Sequence, residues 1–174
     1  MTDPYINNLL AKNEKINMVT RQHWLVLVQQ ILPEILVTLG ILILMTIVWV
    51  QWIPFSSSAW GYLIILIPII SMIRDIMVWR NHKYVVTSRR VIQVFGVFTK
   101  NVTDSSLEKV NDVKMEQTMS GRMFDYGNIE ILTASELGVN RFAKIWKPIM
   151  FKKVMLDAKE DIKNLSTTAP ETVS

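Results

Sequence analysis

A chain of 174 residues, half of them hydrophobic, is long enough for one ordinary domain plus membrane segments. It contains no cysteine, which excludes a disulfide framework, a thiolate zinc site and a cysteine nucleophile. The formal net charge is +4, and between Arg80 and Lys163 there are 15 Lys and Arg against 10 Asp and Glu. Beside a membrane such an excess suits anionic headgroups; elsewhere it is a solubilising surface charge.

Residues 1–23 are polar with scattered apolar positions. Tyr5, Ile6, Leu9 and Leu10 have helical spacing, which suits a segment resting on a membrane surface or on a domain. A partly ordered tail fits equally well. No cleavable signal peptide is expected, because the long apolar run starts only after residue 30 and no small-residue cleavage site follows it.

The next stretch, 24–79, reads as a transmembrane helical hairpin. Ile35 to Val50 and Trp60 to Ile73 carry no charge, and with their flanking residues each reaches the roughly 20 residues needed to cross a bilayer. The spans are expected at about 35–53 and 60–78, preceded by an interfacial stretch over 24–34, with a single tilted helix kinked at Pro33 as the alternative. Lys12, Lys15 and Arg21 precede the first span and Arg80, Lys83, Arg89 and Arg90 follow the second, whereas the loop 54–59 has no basic residue. The positive-inside rule puts both termini in the cytoplasm of a multi-pass membrane protein. Trp49, Trp52, Trp60 and Tyr62 fit an outer aromatic belt, and Trp24, Trp79 and Tyr84 an inner one. Near the inner ends of the spans, Glu34 and Arg74 form a candidate pair across the hairpin. Asp75 is a sequence neighbour that does not face Arg74 on an ideal helix.

From residue 80 the pattern changes to period two. Strands are expected over 82–87, 90–95 and 99–105, from near Lys109 to Thr118, and over 128–133 and 141–145. Ser88-Arg89 and Gly96 punctuate the first turns, residues 120–127 read as a loop, and Glu136 to Asn140 turns the chain. Pro148 then suits the first turn of an amphipathic helix whose apolar positions are Phe151, Val154, Met155, Ala158, Ile162 and Leu165. The tail 166–174 is expected to be disordered. The soluble part, 80–165, is thus six to seven short antiparallel strands closed by one C-terminal helix.

Tyr84-Val-Val-Thr87-Ser-Arg89-Arg90-Val-Ile, Phe95-Gly96-Val97, Val110-Asn-Asp112-Val113 and Gly121-Arg122-x-x-x-Tyr126-Gly127-x-Ile129-x-Ile131 resemble the bacterial pleckstrin-homology-like domain attached to paired membrane spans, the YdbS-like group. Glu14 and Arg21-Gln-His23-Trp24 are similar to the approach to the first span in that group, so the resemblance runs from Glu14 to Ile162. It implies a seven-stranded barrel capped by a C-terminal helix, and membrane association and self-assembly rather than a reaction. Phosphoinositide-binding relatives gather cations on a long first loop; here the corresponding turn is only Thr87-Ser88-Arg89-Arg90.

No chemistry of catalysis is legible. His23 and His82 lack the cysteines or spaced carboxylates of a metal site, and there is no nucleophile elbow, Walker loop or dinucleotide glycine pattern. No cofactor and no enzymatic activity are expected. The segment Arg141-Phe-Ala-Lys144-Ile-Trp-Lys147 is too sparse for nucleic acid. With Lys152, Lys153, Arg89 and Arg90 it forms the candidate set for contact with lipid headgroups or an acidic partner. The expected role is a non-enzymatic scaffold or adaptor on the cytoplasmic face, binding itself, another membrane protein or anionic lipid. The alternative is an accessory subunit of a transporter or membrane-stress complex, built through the hairpin, where Gly40, Gly61, Thr38, Thr46 and Ser71 permit close helix approach.

Overall fold

The computed structural model describes residues 4–52, 63–133 and 139–168, and the chain divides into two compact units, Trp24–Asn81 and a second made of Met1–His23 with His82–Ser174. In chain order the elements are α1 (Pro4–Leu9), β1 (Ile16–Arg21), α2 (Trp24–Trp52), α3 (Leu66–Asn81), β2 (Lys83–Thr87), β3 (Arg90–Phe95) and β4 (Asn101–Ser106). A 3-10 turn, Leu107–Lys109, leads to β5 (Val110–Glu116), α4 (Met119–Phe124), β6 (Tyr126–Thr133), β7 (Val139–Trp146) and α5 (Pro148–Thr168).

The strands form two antiparallel sheets, β1-β2-β3-β4 and β5-β6-β7. At one corner β1 meets β7. Gln22 bridges Ile145, the Thr20 hydroxyl donates to the Trp146 carbonyl at 2.8 Å, and the His23 N–H donates to the Lys144 carbonyl at 2.8 Å. These contacts join the β1 edge of one sheet to the β7 edge of the other at this corner. The core between the sheets holds Tyr84, Val86, Val91, Ile129, Ile131, Phe142 and Ile145. It is sealed by α5, whose Phe151, Met155 and Ala158 recur at spacings of four and three and so share one face. Outside the first sheet, Val85, Ile92 and Val94 pack on Ile6 of α1. This second cover explains why β2 is apolar at consecutive positions instead of alternating, since it is buried on both faces.

Several sequence expectations change. Residues 1–23 are not a separate segment: α1 covers the sheet and β1 is its first strand, so the barrel is not confined to 80–165. Six strands follow the helices and the seventh precedes them. Residues 119–124, expected as loop, form α4, because the Thr118 hydroxyl caps it by accepting the Gly121 N–H and Asp125 ends it in a left-handed conformation. A Cβ on Gly121 would lie 2.6 Å from the Tyr126 carbonyl, which is why the chain can fold back so closely only there. Gly96, at φ 102°, makes the turn between β3 and β4. Tyr84, assigned to an aromatic belt, is fully buried in the core, its ring edge-on to Phe142 at 5.5 Å. α5 continues to Thr168, into the stretch expected to be disordered; of the turn expected at Glu136–Asn140, Val139 and Asn140 belong to β7, and 134–138, like 169–174, lie outside the described residues.

In the helical unit, α2 runs as one helix through Pro33 in place of the expected interfacial break. Glu34 is therefore part of the same helix. α2 and α3 pack against one another. Among the described residues one stretch, Trp24–Ile47, is long and apolar enough to cross a membrane. The second expected span is described only from residue 63, and the loop 54–59 with the side chains of the outer belt lies outside the described residues.

Candidate interaction surfaces

The strand register gives the barrel two distinct ends. Arg21 pairs with Lys83, so the chain leaves the barrel at His23 and returns at His82 from neighbouring strands. At this connected end lie the β3–β4 turn, α4, and the junction of β7 with α5. At the other end lie the β2–β3 turn, the 3-10 turn, and the ends of β6 and β7 where Leu132 pairs with Val139.

The distal end is organised around a buried carboxylate. Thr87 and Arg90 flank the β2–β3 turn, and Glu14 approaches from just before β1. The Arg90 guanidinium grips Glu14 with both arms, Nε to Oε1 and Nη2 to Oε2, each at 3.0 Å. It also donates to Asp104 at 2.8 Å and to the Leu9 carbonyl at 3.0 Å. The Thr87 hydroxyl donates to Glu14 Oε1 at 2.6 Å, and the Ala11 N–H donates to Oε2 at 2.7 Å. Burial alone would raise the Glu14 pKa; the hydrogen bonds from Arg90, Thr87 and Ala11 and the Arg90 charge outweigh it and bring it down to about 2. Beside this lock opens a cleft of about 510 Å³, lined on its basic and polar side by Arg89, Lys109, Ser105, Ser106 and Asn140. The Asn140 side chain donates to Ser105 at 2.6 Å, joining the two sheets across the mouth. Arg89 and Lys109 are exposed and carry no side-chain hydrogen bond or ion pair among the described residues.

The connected end is different. His23 is buried, its ring 5.2 Å from that of Tyr126, and burial lowers its pKa despite a hydrogen bond with the Phe124 backbone and the nearby Asp125 charge. His82 stacks against Tyr84 and Phe95 and is paired with Gln93 at 3.0 Å, and its pKa is likewise lowered by burial. Both histidines are packing residues of the barrel. The Lys147 N–H donates to the Asp125 carbonyl at 2.9 Å, which binds α4 to the start of α5. Lys147 and Lys153 then share a hollow with Asp125, Asp157, Ile149 and Met150. Among the described residues no group of three or more His, Cys, Asp or Glu is placed to hold a metal.

A family model described as the bacterial PH domain matches residues 25–159. The chain belongs to the bacterial PH domain family. The match spans the helical unit and the barrel as far as the middle of α5. Among solved structures, this bacterial PH domain protein is similar to a DUF1696 family protein with a pleckstrin-homology domain from Shewanella loihica PV-4. The identity is 10%, with 45% of this chain and 70% of that chain covered and a TM-score of 0.38. No curated protein matches it.

The cations expected from sequence do not form one site. Arg89 and Arg90 are at the distal end, and Arg90 is consumed by Glu14 and Asp104. Arg141 pairs with Glu130 at 2.7 Å across β7 and β6. Lys147 and Lys153 come together at the connected end; Lys144 sits there on β7, and Lys152 follows on α5. Glu34 and Arg74 do not pair. The Glu34 carboxylate accepts the Ser71 hydroxyl, while Arg74 binds its neighbour Asp75 at 2.9 Å. Ser71 lies one helical turn before Arg74 and meets Glu34 first, and the long Arg74 side chain folds along its own helix. Sequence reading missed the Glu14–Thr87–Arg90 lock. Its signal was present as a lone acid before a period-two stretch, Ile16, Met18 and Thr20, hidden by the 58 residues of helical unit that separate it from its partners.

Proposed function

We propose that this bacterial PH domain protein is a membrane-anchored, non-enzymatic scaffold or adaptor of the YdbS-like type, acting at the cytoplasmic face of the cell membrane. The observation that carries this reading is the position of the helices, which are inserted between two strands that pair with each other. Paired strands lie about 5 Å apart, so an insertion leaving from one and returning to the next must double back. α2 alone is about 43 Å long, enough to cross a bilayer. A return through the same bilayer makes two spans, a multi-pass anchor with both termini on one side, and the charge distribution makes that side the cytoplasm. The connections are one or two residues, so the barrel is confined near the surface at raised effective concentration for lipid and for membrane partners. The bacterial PH domain is generally a lipid- or protein-interaction module, which agrees.

A second reading has its own support. Between α2 and α3 a groove of about 370 Å³ is lined by Pro33, Val37, Ile41, Ile64, Ile67 and Pro68, and within it Glu34 Oε2 is buried with no hydrogen-bond partner among the described residues. A donor on a neighbouring membrane helix would satisfy it, making the protein an accessory subunit. Affinity purification in mild detergent separates the two. Copies of this chain alone support the scaffold; one stoichiometric foreign membrane protein, lost on Glu34→Leu, supports the subunit.

A further inference from the structure

We infer that the connected end of the barrel is a membrane-insertion surface, which places Phe98, Phe124, Trp146, Ile149 and Met150 in the headgroup–acyl boundary of the leaflet that α2 enters. This rests on the anchored reading and adds the orientation of the barrel. Large exposed apolar side chains are not spread evenly. Phe98 is 97% exposed at the tip of the β3–β4 turn, on one side of the chain exit. On the other side, Ile149 is 61% exposed, Met150 53% and Trp146 49%, with Phe124 partly exposed as well. The chain exit at His23 lies between these groups, packed on Tyr126. At the distal end, by contrast, Thr87, Arg89, Ser105, Ser106, Lys109, Thr133 and Asn140 are polar or charged, and Leu165, near the C-terminal end of α5, is an isolated exposed large apolar side chain rather than part of a group.

Lipid, rather than a protein, is the occupant that the surroundings favour. Lys147 and Lys153 flank Ile149 and Met150, with Arg122 on α4 and Lys144 on β7 at the same end, against Glu116, Asp125 and Asp157, while Lys100 beside Phe98 rests on the Tyr5 ring at 3.8 Å. Aromatic and aliphatic tips with flanking lysines are the composition of an interfacial segment, in which apolar groups sink about 5–10 Å and cations meet anionic headgroups. The next residue after His23 begins the apolar helix, so the bilayer surface must pass close to this end whatever the tilt of the barrel.

The absence of cysteine makes the test direct. Full-length single-cysteine variants Phe98→Cys, Ile149→Cys and Met150→Cys are labelled with an environment-sensitive fluorophore and reconstituted into phosphatidylethanolamine–phosphatidylglycerol vesicles. Leu165→Cys, 74% exposed on the far part of α5, is the aqueous control, and Val37→Cys in α2 is the anchor control. The expected result is quenching at 98, 149 and 150 by lipid-borne nitroxides at shallow acyl depth, with little quenching by aqueous iodide, and the reverse at 165. Iodide quenching at 98, 149 and 150 equal to that at 165, with Val37 in lipid, overturns the insertion surface and leaves the anchor standing. Shielding from both quenchers overturns it in favour of a protein occupant. Iodide access at Val37 itself overturns the anchored reading.

Discussion

The two ends of the barrel solve opposite problems with residues that look alike in sequence. At the distal end two cations are tied into the fold: Arg90 is fixed by the buried Glu14 and by Asp104, and Lys159 of α5 donates to the Val110 carbonyl at 2.6 Å, while Arg89 and Lys109 stay exposed beside the polar cleft. At the connected end the cations surround apolar side chains left in the open. A basic residue count therefore says little about where a PH-like barrel meets lipid. What distinguishes the ends is whether the surface beside the cations is polar or greasy. The distal turn is a structural clasp with a small polar cleft beside it.

The sharpest way to break this comparison is to remove half of the clasp with its strand. A fragment starting at His82 lacks α1, β1 and Glu14, leaving Val85, Ile92 and Val94 uncovered and Arg90 with only the exposed Asp104 of its two acids. It should fail to fold, as read by circular dichroism and proteolysis. Joining His23 to His82 by a short turn, with 24–81 removed, should give a soluble folded barrel, because Arg21 and Lys83 are already partners. A folded His82 fragment would show that the N-terminal segment is dispensable after all.

Next in size is the single substitution Arg90→Ala in the joined barrel. Removing one partner of a buried pair costs about 3–5 kcal/mol, a large share of the stability of a domain this size. Glu14→Ala should cost about as much and the double variant little more, so a thermal or urea double-mutant cycle should show strong coupling. Additive losses would mean that the two residues do not form one clasp.

Acid should sort the ends by pH. Glu14 is depressed from its ordinary 4.5 to about 2, so its contribution is fully present above pH 4.5 and is lost as pH falls toward 2. That difference is worth about 3 kcal/mol. His23 and His82 are held neutral by burial, so their contribution is present above their ordinary 6.5 and begins to fall below it. Urea midpoints across this range should decline in two stages, and Glu14→Gln should remove the lower one. A flat profile from pH 7 to 3 contradicts both environments.

The smallest effect is on lipid binding. In the joined barrel, Lys147→Glu with Lys153→Glu should weaken binding to anionic vesicles by about 1 kcal/mol or more per position, reduced by salt. Arg89→Glu at the distal end should leave it unchanged. Equal losses from both ends would erase the distinction.

Much of the barrel could be read from the chain because period-two alternation and a three-four helical stripe are local signals. Tyr84, Val86, Ile129 and Ile131 announce sheet faces, and Phe151, Met155 and Ala158 announce the cover. What escaped depends on partners distant in sequence. Ile16–Arg21 is a weak strand alone and becomes one only against Lys83–Thr87, across the helical unit. Met119–Phe124 is too short for a periodic signal and is set by its cap. Among the site residues, basicity was visible but occupancy was not: nothing near Arg90 or Arg141 in sequence discloses Glu14 or Glu130. Likewise, Ser71 as the partner of Glu34 follows from the helix pairing and not from charge.

The central claim is that a hairpin through the membrane interrupts the barrel between two neighbouring strands, so that both ends of the insertion share one side. The most direct measurement labels single cysteines, Ser57→Cys between the helices and Ser88→Cys at the distal turn, with a membrane-impermeant maleimide in intact cells. The account predicts labelling at 57 from outside and labelling at 88 only after permeabilisation. Both sites reacting from the same side would contradict it.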